Sequence, residues 1–341
     1  MRAGSPRTAA TAAFVLALLW LVASAGVLGV QAADNSTQSA SGRPQLLFSD
    51  EFNGTALDRN KWEPQIGSGC QYNLNGWGNA ERQWYTDLPA NLAVRRGMLV
   101  LQAVRSTEAG VAQQYTSARV RSFGKFGIAP SAAYPLIRIE ARIKVPLGLG
   151  LWSAFWMLPE DGSYSYCSGC GRYGGWANSG EIDIMEVANT MQEVKGTLHF
   201  GGFWPYNVFS TGTGTLPTGR PFSDAFHVYS LEWERSEMRW YVDGRRFYTM
   251  RSGGGNKTSG GWYSLQPCSG DACWAAPARP GNAPFDRRFH LILNLALGSE
   301  ATGFTMVDSQ GISEAQLAAT LQQPKQMLVD YVRVWGVPVA A

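Results

Sequence analysis

Short β-prone stretches separated by turn residues fill the chain from about residue 45 to residue 335. Typical stretches are residues 98–104 (MLVLQAV), 136–145 (LIRIEARIKV) and 226–233 (FHVYSLEW). Asp243-Gly244 lies between two such stretches and predicts a tight hairpin turn, because both residues tolerate a positive φ. Helix-period spacing of apolar residues is scarce, and residues 312–322 are the one good short helix candidate. Many strands without alternating helices predict an all-β sandwich of two sheets, in which a concave sheet can form a groove for a polymer.

One of these stretches, residues 180–187 (GEIDIMEV), carries three carboxylates among apolar residues. A buried strand has no structural use for three acids, because an unpaired buried charge is costly. Strand alternation places Glu181 and Asp183 on one face and Glu186 on the other, and one β-bulge near residues 184–185 would return Glu186 to the acidic face. Glycoside hydrolysis uses two carboxylates on opposite sides of one bond, and retaining enzymes hold them roughly 5–5.5 Å apart. The alternative is a solvated edge strand whose acids face water.

The composition limits the classes of partner. The 341 residues include 39 Gly and 13 Trp, and only 16% of them are charged. A net charge of +3, with no basic cluster among the aromatic residues, argues against a nucleic-acid partner. This balance suits a turn-rich β protein that binds an uncharged ligand by stacking it on aromatic rings.

The N-terminus has the composition of a secretory signal. Arg2 and Arg7 precede an uncharged apolar run over residues 12–30, and Val30-Gln31-Ala32 resembles a cleavage site. We therefore expect a signal peptide over residues 1–33, a disordered lead-in over 34–45 and a catalytic domain over 46–338, on a secreted chain. The alternative is an uncleaved signal anchor in the membrane, because the apolar run approaches the length of a membrane span.

The five cysteines fit an oxidising compartment. Cys167 and Cys170 form one close pair, Cys268 and Cys273 form another, and Cys70 is left over. We expect local disulfides or one longer bridge to Cys70, and a zinc site built from the two pairs is the alternative. N-x-S/T sequons, which are surface acceptor sites if the host glycosylates, occur at Asn35, Asn53 and Asn256.

Five further segments follow one another along the chain: residues 48–54 (FSDEFNG), 77–86 (WGNAERQWYT), 117–119 (SAR), 150–159 (GLWSAFWMLP) and 329–334 (VDYVRV). Together with the acid motif Glu181-x-Asp183-x-x-Glu186, they resemble family 16 glycoside hydrolases, and among these the laminarinase-like endo-β-1,3-glucanases. The motif is similar to the bulged form in that family. The resemblance implies a β-jelly-roll sandwich of two antiparallel sheets with a concave substrate groove, and a retaining mechanism.

The resemblance also assigns roles to the three acids. Glu181 would be the nucleophile that forms the glycosyl-enzyme intermediate. Glu186 would be the acid that protonates the leaving oxygen and later the base that activates water. Asp183 lies between them and can hydrogen-bond the nucleophile. Crowding of like charges predicts a raised pKa for at least one of the acids, which keeps that acid protonated near the working pH.

A set of glucan-binding residues follows from the same resemblance. Trp176 beside the nucleophile, Trp152 and Trp156 would offer flat faces to sugar rings. Polar contacts with the sugar hydroxyls would come from Asn79, Glu81 and Arg119, and His199 would lie on the leaving-group side. The alternative for each tryptophan is a place in the core, because large aromatic residues are ordinary core residues. A lone histidine in a strand is otherwise a structural residue.

A structural calcium ion on the convex side, away from the groove, is a further implication of the resemblance. The matched ligands are Glu51, the Gly97 carbonyl and Asp330, and hard oxygen ligands of this kind suit calcium. The alternative is that Glu51 and Asp330 are surface acids. We expect no cofactor for catalysis itself.

We therefore predict a secreted, monomeric, retaining endo-β-1,3-glucanase whose partner is a laminarin-type β-glucan. The alternatives are a β-glucan transglycosylase on the same fold and a non-catalytic β-glucan recognition protein. Retention of all three acids argues against the recognition protein, because binding alone needs none of them. The chain departs from the family pattern at Ala177 and Ser153, where the family often has proline, and residues 294–299 lack a second glycine usual there. An insert over residues 164–175 can reshape one end of the groove.

Overall fold

The computed structural model describes residues 42–106, 114–161, 173–204, 206–253, 261–262, 281–298 and 312–339. All of them belong to one compact unit, Ser39–Ala341. The predicted signal peptide, most of the lead-in and the two close cysteine pairs lie outside the described residues. Cys70 is described, and its side chain is exposed with a free thiol. Within the described ranges, no helix is long and apolar enough to cross a membrane.

Strands dominate the regular structure of the described residues. The strands are β1 Gln45–Asp50, β2 Glu63–Pro64, β3 Gln83–Tyr85, β4 Leu92–Arg95, β5 Met98–Arg105, β6 Tyr115–Ser117, β7 Arg119–Arg121, β8 Gly127–Ile128, β9 Leu136–Lys144, β10 Leu151–Pro159, β11 Glu181–Ala188, β12 Val194–Phe200, β13 Val208–Gly214, β14 His227–Glu234, β15 Glu237–Val242, β16 Arg245–Arg251, β17 Phe289–Leu297 and β18 Lys325–Val337. Two 3-10 turns cover Cys70–Tyr72 and Asn75–Gly78, and helix α1 covers Glu314–Thr320.

The strands form two sheets that pack face to face. The first sheet has the order β16-β15-β14-β9-β18-β5-β6-β3, with β1 beside β18 and β4 beside β5. The second sheet has the order β13-β12-β11-β10-β17-β7-β2, with β8 beside β17. The predicted two-sheet sandwich is confirmed. It differs from the prediction in one detail, because β3 and β6 pair in parallel.

Alternation of side chains explains how the sheets form one core. Along β9, the residues Ile137, Ile139, Ala141 and Ile143 are fully buried, and the residues between them are partly exposed. These four belong to a continuous apolar cluster that fills the space between the sheets. Strand β17 differs, because all of its residues are buried. It lies at the centre of the second sheet, where side chains of neighbouring strands also cover its outer face.

The predicted local signals agree with the structure. Asp243 and Gly244 have φ angles of 49° and 76° and join the paired strands β15 and β16, as a two-residue hairpin turn requires. Helix α1 forms within the predicted residues 312–322. Ser313 is its N-cap, and the side chains of Ser313 and Gln316 complete a capping box.

Glycines allow a close approach of the two sheets at one edge, where β12 and β13 face β15 and β16. A Cβ atom on Gly196 would lie 2.4 Å from Cδ1 of Trp240, and one on Gly212 would lie 2.1 Å from Cγ of Tyr248. The two aromatic rings lie 4.9 Å apart. The rings therefore pack directly against the backbone of the second sheet, which a larger residue at either glycine would prevent.

Candidate active site

Strand β11 contains the predicted bulge. Asp183 and Met185 pair with the adjacent residues 156 and 155 of β10, so that Ile184 is the extra residue. The pairing with β12 shifts register over the same interval, between Asp183 and Glu186. The bulge predicted from the parity of the acids is therefore confirmed. It brings Glu186 to the outer face of the second sheet, where the other two acids lie, and we call this side the groove face.

The three carboxyl groups are nearly withdrawn from water. The side chains of Glu181 and Asp183 are 15% and 4% exposed, and Glu186 is 8% exposed. Burial raises the pKa of each group to about 8, and the charge of Asp183 adds to the rise of the pKa in both glutamates. The cluster therefore keeps protons at neutral pH, as an acid catalyst must. The raised pKa predicted from crowding is confirmed, with burial as the larger cause.

Each of the two glutamates has a tryptophan donor. The indole Nε1 of Trp176 donates to Oε2 of Glu181 at 2.8 Å, and Nε1 of Trp152 donates to Oε1 of Glu186 at 3.0 Å. Both indole rings are half-buried on the groove face. They are therefore placed to orient the carboxylates and still offer ring surface, which argues against a role in the core alone.

His199 completes the cluster from the neighbouring strand β12, where it pairs with Glu181. Its Nε2 atom lies 3.3 Å from Oδ2 of Asp183 and 3.9 Å from Oε1 of Glu181. The ring centre is 5.6 Å from that of Trp176. One ligand atom each from Glu181, Asp183 and His199 lies within 4.8 Å of the others, so that these residues could also hold a metal ion. The position of Asp183 and His199 beside Glu181 suits proton sharing during a reaction.

Arg119 lies further along the groove face and is held by stacking. Its guanidinium carbon is 4.4 Å from the ring centre of Trp77 and 4.7 Å from that of Trp156. Its Nε atom donates to Oε1 of Gln65 at 2.7 Å, and the residue is 4% exposed. A planar cation between two indole rings is rigid, so that Arg119 connects the residues 77–86 to β10.

Glu81 is the centre of a buried hydrogen-bond network. Its carboxylate accepts from Nδ2 of Asn79 at 3.1 Å, from Nε2 of Gln83 at 2.6 Å and from the hydroxyl of Tyr85 at 3.2 Å. Burial raises the pKa of Glu81, whereas the charge of Arg119 lowers it. Three protein donors already serve this carboxylate, so its clearest role is to shape the loop. Direct contact of Asn79 and Glu81 with a glucan stays a prediction.

Asn294 of β17 lies in the sheet between Arg119 and Glu186. Glu186 and Asn294 both pair with Ala154, and Arg119 pairs with Asn294 on its other side. These pairs place the four residues in one row across the sheet, on the same face. The row therefore runs perpendicular to the strands, in the direction that a bound polymer would follow.

Sequence reasoning assigned no role to three residues in or near this row, which are Asn294, Gln65 and Trp77. Oδ1 of Asn294 accepts from Nε1 of Trp156 at 2.7 Å, and its Nδ2 donates to the hydroxyl of Tyr85 at 3.2 Å. The signal for Asn294 was a single amide within an apolar run (LILNLAL). Trp77 lies in the segment 77–86 that carries the family resemblance, whereas Gln65 gave no signal, because it reaches the site only through the pairing of β2 with β7.

An exposed aromatic residue extends the groove face beyond His199. Phe209 of the edge strand β13 pairs with His199, and their rings lie 5.8 Å apart. Its side chain is 64% exposed, and Trp204 and Tyr206, which precede β13, are also exposed. The accessible Phe209 ring beside His199 suits stacking on the apolar face of a sugar.

The predicted calcium ligands lie elsewhere, and two of them already hold arginines. Both carboxylate oxygens of Glu51 accept from Arg333, at 2.9 and 2.7 Å, and this pairing lowers the pKa of Glu51. Oδ2 of Asp330 accepts from Nη1 of Arg142 at 2.7 Å. Gly97 lies in the turn between β4 and β5 with a φ of 72°. In this structure, guanidinium groups therefore contact the carboxylates of both predicted acidic ligands. The calcium site stays a prediction.

Comparisons with known proteins agree with this geometry. The sequence pattern of glycosyl hydrolases family 16 matches residues 97–272. The chain is 39% identical over 297 residues to glucan endo-1,3-beta-glucosidase A1 of Niallia circulans, covering 85% of this chain but only 37% of that longer protein. It is 33% identical over 295 residues to the glucan endo-1,3-beta-glucosidase of Cryptopygus antarcticus, covering 85% of this chain and 91% of that protein.

A solved structure shares the fold as well. The catalytic domain of an endo-1,3-beta-glucanase (laminarinase) from Thermotoga petrophila RKU-1 is 32% identical in sequence, with a TM-score of 0.64. The match covers 87% of this chain and 99% of that domain. The family pattern, the identity to these relatives and the bulged acid strand within a two-sheet sandwich lead to one conclusion: this chain belongs to family 16 of the glycosyl hydrolases.

Proposed function

We propose that the protein is a retaining endo-β-1,3-glucanase that hydrolyses laminarin-type β-glucan. The observation that carries the proposal is the bulge in β11, which places Glu181 and Glu186 on one face with an indole donor on each. The named activities of the relatives from Niallia circulans and Cryptopygus antarcticus support the β-1,3 linkage.

In the first step, the Glu181 carboxylate attacks the anomeric carbon of the sugar. The bond from that carbon to the glycosidic oxygen breaks, and Glu186 gives its proton to the departing oxygen. In the second step, Glu186 takes a proton from water, and the water oxygen displaces Glu181 from the anomeric carbon. Two inversions retain the configuration. No cofactor takes part.

The electrostatics of the cluster suit the change of role at Glu186. The charge of Glu186 raises the pKa of Glu181, and the charge of Asp183 raises the pKa of Glu186. When Glu181 becomes a neutral ester, the cluster loses one negative charge, which should lower the pKa of the neighbouring Glu186. A lower pKa favours the ionised form, which is the form that accepts a proton from water. The side chain of Asp183 hydrogen-bonds Glu181, and Nε2 of His199 lies 3.9 Å from Oε1 of Glu181.

The groove face suits an extended neutral polysaccharide. The row from Glu186 through Asn294 to Arg119 crosses the strands, and the indole rings of Trp152, Trp156 and Trp176 are half-buried along it. A groove that crosses the sheet supports cleavage within a chain, because sugar units can bind on both sides of the acids. We further propose that the protein is secreted, on the basis of the apolar run and basic residues at the N-terminus, and that it acts as a monomer.

Transglycosylation is the second candidate. The exposed ring of Phe209 beside His199 could bind a sugar acceptor that competes with water for the intermediate. The resemblance noted above places His199 on the leaving-group side, where an acceptor would bind.

Product analysis of the purified chain tests the proposal. Short β-1,3 oligosaccharides released early from laminarin, with little release from lichenan or agarose, are the expected result. Elongated products would favour the transglycosylase, and binding without any release would refute hydrolysis.

Variants test the two glutamates. Glu181→Gln should lose turnover and keep glucan binding. Glu186→Ala should lose activity on laminarin but still react with a substrate that has a good leaving group, and azide should then yield the β-glycosyl azide. Glu193→Gln, an exposed position in the turn between β11 and β12, is the control and should retain full activity. Substantial turnover by Glu181→Gln, or no azide product from Glu186→Ala, would show that the roles are misassigned.

A further inference from the structure

Trp240 lies on β15 of the first sheet, across the core from the acids, and is fully buried. Its indole Nε1 donates to the backbone carbonyl oxygen of Asp183 at 2.8 Å. Asp183 is the residue at which the register shift of β11 begins. We propose that Trp240 is a positioning residue that fixes the peptide after Asp183 and thereby the direction in which the bulge carries Glu186. The role in catalysis rests on the proposed function, whereas the hydrogen bond does not.

The bulge gives this carbonyl a particular need for a donor. A bulge interrupts the ladder of backbone hydrogen bonds and leaves its extra residue unpaired. A buried carbonyl without a partner is unfavourable, so the peptide would turn toward any donor within reach. Because the peptide after Asp183 leads into the extra residue Ile184, its orientation sets the path of the chain to Glu186. The Trp240 indole, on the opposite sheet, fixes the orientation of this peptide from the core side.

The surroundings of the indole ring explain why it reaches this carbonyl. Gly196 of β12 lies between Lys195, which pairs with Glu186, and Thr197, which pairs with Asp183. It is therefore opposite the bulge, and a Cβ atom there would lie 2.4 Å from Cδ1 of Trp240. The absence of a side chain at Gly196 lets the ring lie under the strand, directly below the bulged segment. Tyr248, 4.9 Å away, packs against the ring from the next strand.

A neighbouring tryptophan shows that packing alone does not require this bond. Trp233 of β14 lies on the adjacent strand of the same sheet and is also fully buried. Its Nε1 atom has no hydrogen-bond partner among the described residues. Its ring packs edge to face against Phe289, with the centres 5.6 Å apart. Trp233 is therefore a matched control: the same residue type and burial, without a bond to the catalytic strand.

Loss of the indole N–H should affect the chemical step and not sugar binding. Trp240 contacts the core side of β11, whereas the sugar-binding residues lie on the groove face. A displaced Glu186 would transfer its proton poorly, and misplacement by about 1 Å can cost roughly 100-fold in rate. A substrate with a good leaving group needs little proton transfer, so its rate of intermediate formation should change much less.

The experiment compares Trp240→Phe with Trp233→Phe on laminarin and on an aryl β-laminaribioside with a good leaving group. We expect Trp240→Phe to lower kcat on laminarin by about 10-fold or more, with KM within about twofold and a smaller loss on the aryl glycoside. Trp233→Phe should lose thermal stability to a similar extent and keep kcat. Equal kcat losses in the two variants, or a loss that appears only in KM, would overturn the proposal.

A second substitution removes only the donor. The amino acid 3-benzothienylalanine at position 240 has a sulfur atom in place of the N–H and nearly the same shape, so it separates the hydrogen bond from packing if Trp240→Phe does not fold. Unchanged kcat in this variant would overturn the proposal. If the unaltered protein proves inactive on laminarin, the proposed function fails but the inference stays testable. Slow hydrogen exchange at the Trp240 indole, and a shifted Glu186 in a crystal structure of the benzothienyl variant, are then expected, and their absence would refute it.

Discussion

Asp183 should destabilise the folded protein at alkaline pH, because it buries a carboxylate against other carboxylates. Burial is the main reason that its pKa is raised from 3.8 to about 8. The substitution Asp183→Asn keeps the size of the side chain and removes the charge. We expect a variant that is more stable than the unaltered protein at alkaline pH and much less active, because the nucleophile loses its acidic neighbour.

The geometry sets the size of the effect. Carboxylate oxygens of Glu181 and Asp183 lie within 4.8 Å of each other. Two charges at that separation repel by about 3 kcal/mol at an effective dielectric constant of about 20. Two ionised carboxylates share no hydrogen bond, so Asp183→Asn loses none between these side chains at alkaline pH. A gain of about 3 kcal/mol corresponds to a rise in Tm of roughly 6 °C for a domain of this size.

The gain should depend on pH in a defined direction. A carboxyl group with a raised pKa in the fold holds its proton more tightly there than in the unfolded chain. The stability that this proton contributes is fully present below about pH 4 and is lost as pH rises toward about pH 8. The difference between Asp183→Asn and the unaltered protein should therefore be close to zero near pH 4 and largest near pH 9.

Calorimetric unfolding across this pH range is the assay, with Asp50→Asn as the control. Asp50 is also buried, but its carboxylate accepts from the backbone N–H of Phe52 at 3.0 Å and from Nε1 of Trp62 at 2.9 Å. Asp50→Asn should therefore lower Tm at alkaline pH. A fall in Tm for Asp183→Asn near pH 9, or a difference that does not vary with pH, would refute the reasoning.

Three further predictions concern the groove, the core edge and the calcium site. Arg119→Lys removes the planar group between two indole rings. It should raise KM for laminarin about tenfold in initial-rate measurements and change kcat little. A loss of kcat with an unchanged KM would contradict this prediction. Gly212→Ala places a Cβ atom 2.1 Å from Cγ of Tyr248 and should lower the free energy of unfolding in urea by about 1–3 kcal/mol, whereas Gly54→Ala, with 3.5 Å to the nearest atom, should not. Because arginines contact Glu51 and Asp330, added Ca²⁺ should leave Tm within about 1 °C of its value in EDTA. A clear rise in Tm would instead support the predicted calcium site.

The parts of the fold that depend on local sequence were predictable. Period-2 alternation identified strands such as β9, and Asp243-Gly244 identified the hairpin between β15 and β16, because turn chemistry and side-chain direction act over a few residues. The bulge in β11 followed from parity. Three acids that must share a face at positions 181, 183 and 186 require one extra residue between them.

Features that depend on which strands become neighbours were not predictable. Gln65 reaches Arg119 only because β2 pairs with β7, and Asn294 reaches Tyr85 across 209 positions of sequence. The calcium prediction meets the same limit. The residues around Glu51 in the sequence do not predict that Arg333, from another strand, will donate to the Glu51 carboxylate. Strand order and register in a sandwich follow from the packing of both sheets together, which a local pattern does not encode.

Strand β11 shows which features of the site local sequence can predict and which it cannot. The bulge can be predicted from the sequence because it determines the spacing of the three acids. The spacing of the residues does not indicate that the Trp240 indole hydrogen-bonds the bulged segment. Trp240 is 57 positions from Asp183 in the sequence. Like Trp233 in the neighbouring strand, it is a large apolar side chain at a buried position. One indole packs, and the other packs and also donates to the strand that carries the acids. A single hydrogen bond separates these roles, so the comparison of Trp240→Phe with Trp233→Phe measures what tertiary structure adds to a site whose reactive groups the sequence already identifies.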